Sequence, residues 1–191
     1  MAQVVLASNS PRRKQILKNM GCDFEIIPSN YDEKRDTDTF SYDLIEDLAT
    51  QKALDVVTRV DNNKIVIGAD TVVVLNNKIL GKPHSKTEAF NMLKSLSGVT
   101  HFVVTSVCGI NTKTNKKAVL STTSYVQFNE LTDEMILNYI DEFNPLDKAG
   151  SYGIQELPPY FLNKYEGSFD NIVGLDPVSV RKVLEQLEYS I

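Results

Sequence analysis

The chain has 191 residues, 42% of them hydrophobic, and a formal net charge of −5. That is apolar material for one well-buried domain across residues 1–191 and excludes intrinsic disorder. The acidic balance argues against nucleic-acid or anionic-membrane partners, and without a signal peptide or an apolar run near the ~20 residues of a spanning helix, a cytoplasmic protein is expected.

In chain order, VVLA at 4–7 reads as a strand, followed by a helix over 11–20 with Ser10 as N-cap, Pro11 at its first position and Gly21 just past its end. A strand near DFEIIP, an acidic loop YDEKRDTDT and a long helix from about Asp43 to Val60 come next. KIVIGADTVVVL and KIL read as a strand pair joined by Asn76-Asn77, residues that tolerate the positive φ of a tight hairpin. Ser85 and Glu88 form a capping box for a helix over 86–97, with Gly98 as its stop. Two more strands, HFVVTSVCGIN and KAVLSTTSYVQF, precede a helix that begins after Thr132. The Gly/Pro-rich stretch NPLDKAGSYGIQELPPY, a late strand FDNIVGL and a terminal helix after Asp176-Pro177 complete the chain. The fold class is mixed α/β, some strands alternating with helices and others adjacent as hairpins. Cys22 and Cys108 lack CxxC or zinc-site neighbours and read as reduced, buried thiols.

Several residues are out of place for structure alone. Arg12 and Arg13 fall in the first turn of a helix, the positive end of its macrodipole, where each exposed cation costs roughly 0.3 to 1 kcal/mol. An oxyanion bound by the turn SNS and the helix N-terminus reverses that sign, because each arginine then meets negative charge. The plainer reading has both pointing into water. Lys52 lies near the middle of the apolar stripe of its helix, so it either snorkels to an edge or points into a cleft with a paired anion. Asp70 interrupts a β-branched run and, if the strand is unbroken, shares a face with Val72 and Val74. It is either a structural carboxylate at a bend after Gly68 or one that serves a metal or a water. Lys82, held in GKP, adds a cation, while Glu33, Asp147 and Lys148 read as ordinary solvated charges. Cations with carboxylates in an acidic chain fit a polyphosphate substrate with a divalent metal. They do not fit a Ser-His-Asp protease, and no Walker A pattern is present.

The blocks LASNSPRR (6–13), LATQKA (48–53), IGADTVV (67–73), GKP (81–83), MLKSLSG (92–98), PLDKAGSYGIQ (145–155) and EGSFDNIVGL (166–175) cover most of the chain in order. Together they resemble the Maf family, the septum formation inhibitor proteins, which are nucleoside triphosphate pyrophosphatases. The resemblance implies an elongated mixed central sheet with flanking helices in two lobes around a cleft, similar to inosine triphosphate pyrophosphatases, in a family where homodimers are common. It implies cleavage between the α and β phosphates with a divalent metal, Mg2+, Mn2+ or Co2+. Asp70 matches the proton acceptor, and Ser8, Ser10, Arg13, Lys52 and Lys82 match polar and phosphate-binding positions. Glu33 matches an acidic position near the metal. Arg12, Thr71 and Gln155 match three substrate-sorting positions and look like the dTTP/UTP branch, not the methylated-GTP branch. An amide at 155 suits that branch, since a uracil or thymine edge offers an imide N–H beside carbonyls. Where the family usually has proline after VVGL, this chain has Asp176, which alters the start of the last helix. A nucleotide-binding regulator of septum formation without turnover and a partner-binding protein that keeps the fold are the alternatives.

Overall fold

Three strands of 12 residues each, β3 (Lys64–Leu75), β5 (Thr100–Asn111) and β6 (Lys117–Phe128), form the antiparallel centre of the molecule. Their β-branched residues alternate between two buried faces, so they suit a sheet covered on both sides. The computed structural model describes residues 3–32 and 37–189. Two short strands, β1 (Gln3–Leu6) and β2 (Phe24–Ile26), extend the sheet from β3 in parallel: β1 pairs with β3, and helix α1 (Pro11–Asn19) crosses from β1 to β2 on its outer side. β4 (Lys78–Leu80) folds back on the end of β3, and β7 (Leu162–Glu166) closes the far edge beside β6. The sheet order is β2-β1-β3-β5-β6-β7, with β4 beside β3.

Local signals account for most boundaries. Asn76 and Asn77 hold φ of 50° and 63°, the left-handed pair that a two-residue hairpin demands. Helix α2 (Tyr42–Val57) is capped by Ser41, whose hydroxyl accepts the Leu44 N–H. Ser85 Oγ caps α3 (Lys86–Leu96) by accepting the Glu88 N–H at 3.1 Å, while the Glu88 carboxylate reaches one residue further back than a regular capping box, to the His84 N–H. Thr132 caps α4 (Asp133–Phe143).

One expected strand is a helix. FDNIVGL reads as β by its aromatic and branched residues, yet Phe169–Val173 is the short helix α5, and the strand lies earlier, at β7. Gly167 at φ 101° breaks the chain after β7, Ser168 Oγ accepts the Asn171 N–H, and Gly174 at φ 134° ends the turn. Asp176 then caps the last helix, α6 (Pro177–Gln186), by accepting the Ser179 N–H at 2.9 Å. It also accepts from Ser168 Oγ at 2.8 Å and Thr122 Oγ1 at 3.1 Å, so Asp176 ties α5, α6 and β6 together.

Helix α2 alone covers one face of the sheet, with Ala49, Ala53 and Val56 against Val5, Val66 and Cys108, and Ile45 and Leu48 against Val72, Val74 and Val104. The other helices cover the opposite face, where the main core joins Leu17, Leu93, Ile136, Ile140, Val180 and Leu184 to Leu6, Ile67, Val103 and Val126. Gly68 lets α2 come close: a Cβ there would stand 2.3 Å from the Ala49 carbonyl oxygen. Both cysteines are free and buried, and burial pushes each thiol up from its ordinary value. No helix among the described residues is long and apolar enough to cross a membrane.

Candidate active site

The site begins where β1 stops. β1 pairs with β3 only as far as Leu6 opposite Ile67, and β4 joins the same edge only from Val73 onward. Residues 68–72 of β3 therefore have no strand partner on that side among the described residues, and a cleft of about 470 Å³ opens there. This lies beyond the carboxyl end of β1, the usual place for ligands in parallel α/β arrangements.

Ser8, Ser10, Arg12, Arg13, Lys52, Asp70, Thr71, Lys82 and Gln155, nine positions singled out from the sequence, all line this one cleft. Glu33, the remaining candidate, lies outside the described residues. Among the described residues, five cationic side chains, Arg12, Arg13, Lys52, Lys82 and Lys148, line it against three carboxylates, Asp70, Asp147 and Glu156. The surplus is positive in a chain whose net charge is −5, so the field is focused on the cleft.

Asp70 and Lys52 form the buried centre. β3 runs unbroken through Gly68, so Asp70 faces α2, as Val72 and Val74 do, and it is 5% exposed. Lys52 leaves the buried face of α2 and places its ammonium 2.5 Å from Asp70 Oδ1. The lysine does not snorkel: it is 8% exposed and ends on the carboxylate. Neighbouring Thr71 points to the other face of the strand, and the unpaired edge lets both faces reach the cleft.

On that second face Arg13 is fixed by a fork. Its Nε donates to the Gly174 carbonyl at 2.9 Å, one terminal nitrogen to Thr71 Oγ1 at 3.0 Å, and the other to Ser8 Oγ at 3.3 Å. Thr71 continues to Thr105 Oγ1 at 2.9 Å, and Thr105 is tied to Asn171 by two bonds. Ser10 caps α1 at the Arg13 N–H, and the Ser10 N–H donates to Ser8 Oγ. Both serine oxygens are acceptors in these contacts, which leaves their hydroxyl protons to offer an oxyanion.

The opposite wall is the segment 145–156, in which 3-10 turns at Pro145–Asp147 and Ile154–Glu156 flank a left-handed turn at Gly150 and Ser151. It docks on β3 at Gly150, where a Cβ would stand 2.9 Å from the Val73 methyls, and the Gly150 N–H donates to Gly81 just before Lys82. Sequence reasoning missed Lys148 here. It is 7% exposed, with its ammonium 3.0 Å from Asp147 Oδ1 and 3.2 Å from Glu156 Oε2. Burial opposes ionisation of Asp147, but the hydrogen bond and charge of Lys148 outweigh it and hold the carboxyl below its ordinary value. Nothing in PLDKAGSYGIQ signals this, since a lysine beside an aspartate in a loop has the composition of a solvated surface.

The family model for Maf-like proteins matches residues 3–187. The dTTP/UTP pyrophosphatase of Alkaliphilus oremlandii is 46% identical over 175 residues, 92% of this chain and 91% of that protein. The dTTP/UTP pyrophosphatase of Clostridium perfringens strain SM101 is 43% identical over 192 residues, 99% of each chain. The Ham1 protein of Staphylococcus aureus, a solved structure, superposes with a TM-score of 0.48 and 17% identity over 66% of this chain and 71% of that one. With the family model matched nearly end to end and relatives above 40% identity over almost the full length, the chain belongs to the Maf-like protein family.

Proposed function

We propose that this protein is a nucleoside triphosphate pyrophosphatase that hydrolyses dTTP and UTP to the monophosphate and pyrophosphate. The observation that carries the reading is a buried acid, Asp70, set among sequence-distant cations in one cleft, in a chain whose similar relatives bear that name.

Asp70 takes a proton from water as the water oxygen bonds to the α-phosphorus and the bond from that phosphorus to the bridging oxygen breaks. Lys52 donates to Asp70 Oδ1 and lines the same cleft, so its ammonium stands beside the base where it can neutralise phosphate charge. Arg13 and Lys82 neutralise the charge that gathers on the departing pyrophosphate, and Ser8 and Ser10 offer hydroxyl protons at the N-terminus of α1. Gln155, exposed on the opposite wall, presents one acceptor and one donor to the imide edge of uracil or thymine, with Arg12 and Thr71 completing the selection.

The donors suit a hard divalent cation: a carboxylate and hydroxyls line the cleft, and Mg2+ characteristically binds through one or two carboxylates together with substrate phosphates. Asp70 would hold it, with Glu33 as the second carboxylate, and the ion would supply charge neutralisation on the phosphates.

The test is steady-state pyrophosphate release from dTTP, UTP and GTP with Mg2+, Mn2+ or Co2+ and without metal. The wild type turns over the pyrimidine nucleotides with metal present, and Asp70→Asn loses turnover by about two orders of magnitude or more, as loss of a general base does. Wild-type rates in Asp70→Asn sink the assignment of the base. Tight nucleotide binding by the wild type without turnover would instead favour a nucleotide-binding regulator.

A further inference from the structure

Gln155 stands on a loop that has little regular structure of its own. Gly150 and Ser151 both take left-handed backbone angles, φ 66° and 63°, and Gln155 itself is exposed. Yet a side chain that selects a base by one donor and one acceptor must be placed within about 0.5 Å.

What holds the loop comes from behind it. Tyr139, on α4 and 1% exposed, accepts the Gly153 N–H at its phenol oxygen, 3.3 Å away. Tyr152 places its own phenol oxygen 2.7 Å from Nε2 of His101, which is on β5 and 1% exposed. Burial pushes the Tyr152 phenol up and lowers His101 to about 4, so at neutral pH both groups are neutral and share one hydrogen bond between the phenol oxygen and Nε2, its direction set by the imidazole tautomer. Rings then lock both tyrosines: Tyr152 meets Phe128 edge-on at 4.9 Å, and Tyr139 stacks on Phe143 at 5.1 Å. The two anchors fall on residues 152 and 153, directly before the turn that carries Gln155.

We propose that Tyr139 and the Tyr152–His101 pair are specificity-positioning residues, which fix the Gln155 turn against the base and thereby set the preference for uracil and thymine over guanine. This rests on the reading of Gln155 given above. Neither Tyr139 nor His101 lines the cleft: Tyr139 acts through the Gly153 backbone, and His101 acts through Tyr152, which lines the cleft with its hydroxyl held by the buried imidazole.

The experiment uses Tyr139→Phe and Tyr152→Phe, each removing one buried hydroxyl and keeping the ring, in wild-type and Gln155→Ala backgrounds. It reads kcat and KM for UTP and GTP and the thermal midpoint. Loss of one such hydrogen bond should raise KM for UTP about fivefold and cut the UTP-over-GTP ratio of kcat/KM by a similar factor, with kcat for UTP changed less than twofold. In the Gln155→Ala background the same substitutions should leave the ratio unmoved. An equal slowing of both nucleotides, or a ratio change that persists undiminished without Gln155, overturns the proposal and leaves the tyrosines as ordinary core. Should Gln155→Ala alone keep the wild-type ratio, the reading of Gln155 fails first, and that outcome is recognised without either tyrosine variant. If one tyrosine variant does not fold, the other carries the same comparison.

Discussion

Arg13 shows what a single residue must satisfy in this cleft. Its guanidinium binds the Gly174 carbonyl, Thr71 and Ser8 at once, a pattern only a planar fork with five donors can meet. Arg13→Lys keeps the charge and loses the fork. A hydrogen bond to a charged group is worth about 1.5 to 3 kcal/mol, so the net loss of one should lower kcat/KM for UTP about tenfold to a hundredfold, measured by pyrophosphate release. An unchanged kcat/KM would reduce Arg13 to a surface charge. The residues that could be recognised from sequence were those that break a local rule: cations at a positive helix end, a lysine on an apolar stripe, an aspartate in a β-branched run. Lys148, Tyr152 and Glu156 break none. Their burial is decided by how a loop of 3-10 turns settles on Val73, which no local pattern encodes.

At the scale of elements, the distance between α2 and β3 sets the Lys52–Asp70 contact, and Gly68 sets that distance. In Gly68→Ala the new methyl would stand 2.3 Å from the Ala49 carbonyl and 2.7 Å from the Ala53 nitrogen, both helix backbone atoms that cannot swing aside. The helix has to move, at about 1 to 3 kcal/mol for overpacking, and Lys52 moves with it. Urea unfolding should report that loss, and pyrophosphate release should fall by more than the fraction unfolded accounts for. Gly109 offers the contrast, since its closest neighbours are side-chain methyls of Val183 and Leu187. A second element prediction concerns the α6 cap. Asp176→Ala removes acceptors for the Ser179 N–H, Ser168 and Thr122, and should cost about 1 to 2 kcal/mol by the scale of N-cap losses, read by urea unfolding. The long strands, the Asn-Asn hairpin and the capped helices were legible because period and cap chemistry agree within each segment. Helix α5 was not: five residues between two glycines are too few to show a period, and Phe169, Ile172 and Val173 carry strand-like side chains.

For the molecule as a whole, the cleft is a consequence of unequal strand lengths. β3 has 12 residues where β1 has four and β4 three, so the sheet leaves part of one edge of β3 bare, and the chain fills the space around it with cations. Sequence alone did not disclose this, because the parallel pairing of β1 with β3 joins segments some sixty residues apart and leaves no mark in either. The same long-range packing encloses His101 between Phe128 and Tyr152, and this gives global stability a pH dependence. Burial lowers His101 from 6.5 to about 4, so between those values the unfolded chain binds a proton that the folded one refuses. Stability therefore rises with pH across that window and is flat, for this group, above it. The full difference is about 3 kcal/mol, complete only below the folded value near pH 4, where the histidine charges in both states. In His101→Gln, whose amide can still hydrogen-bond Tyr152 as donor or acceptor, this component disappears while the carboxylates titrate as before. Urea unfolding of both proteins from pH 7 down to pH 4 should show the wild type losing more stability than His101→Gln, with the gap opening below about pH 6.5. Parallel curves would mean that His101 takes up its proton as readily in the folded protein as in the unfolded chain, so that burial does not hold it neutral.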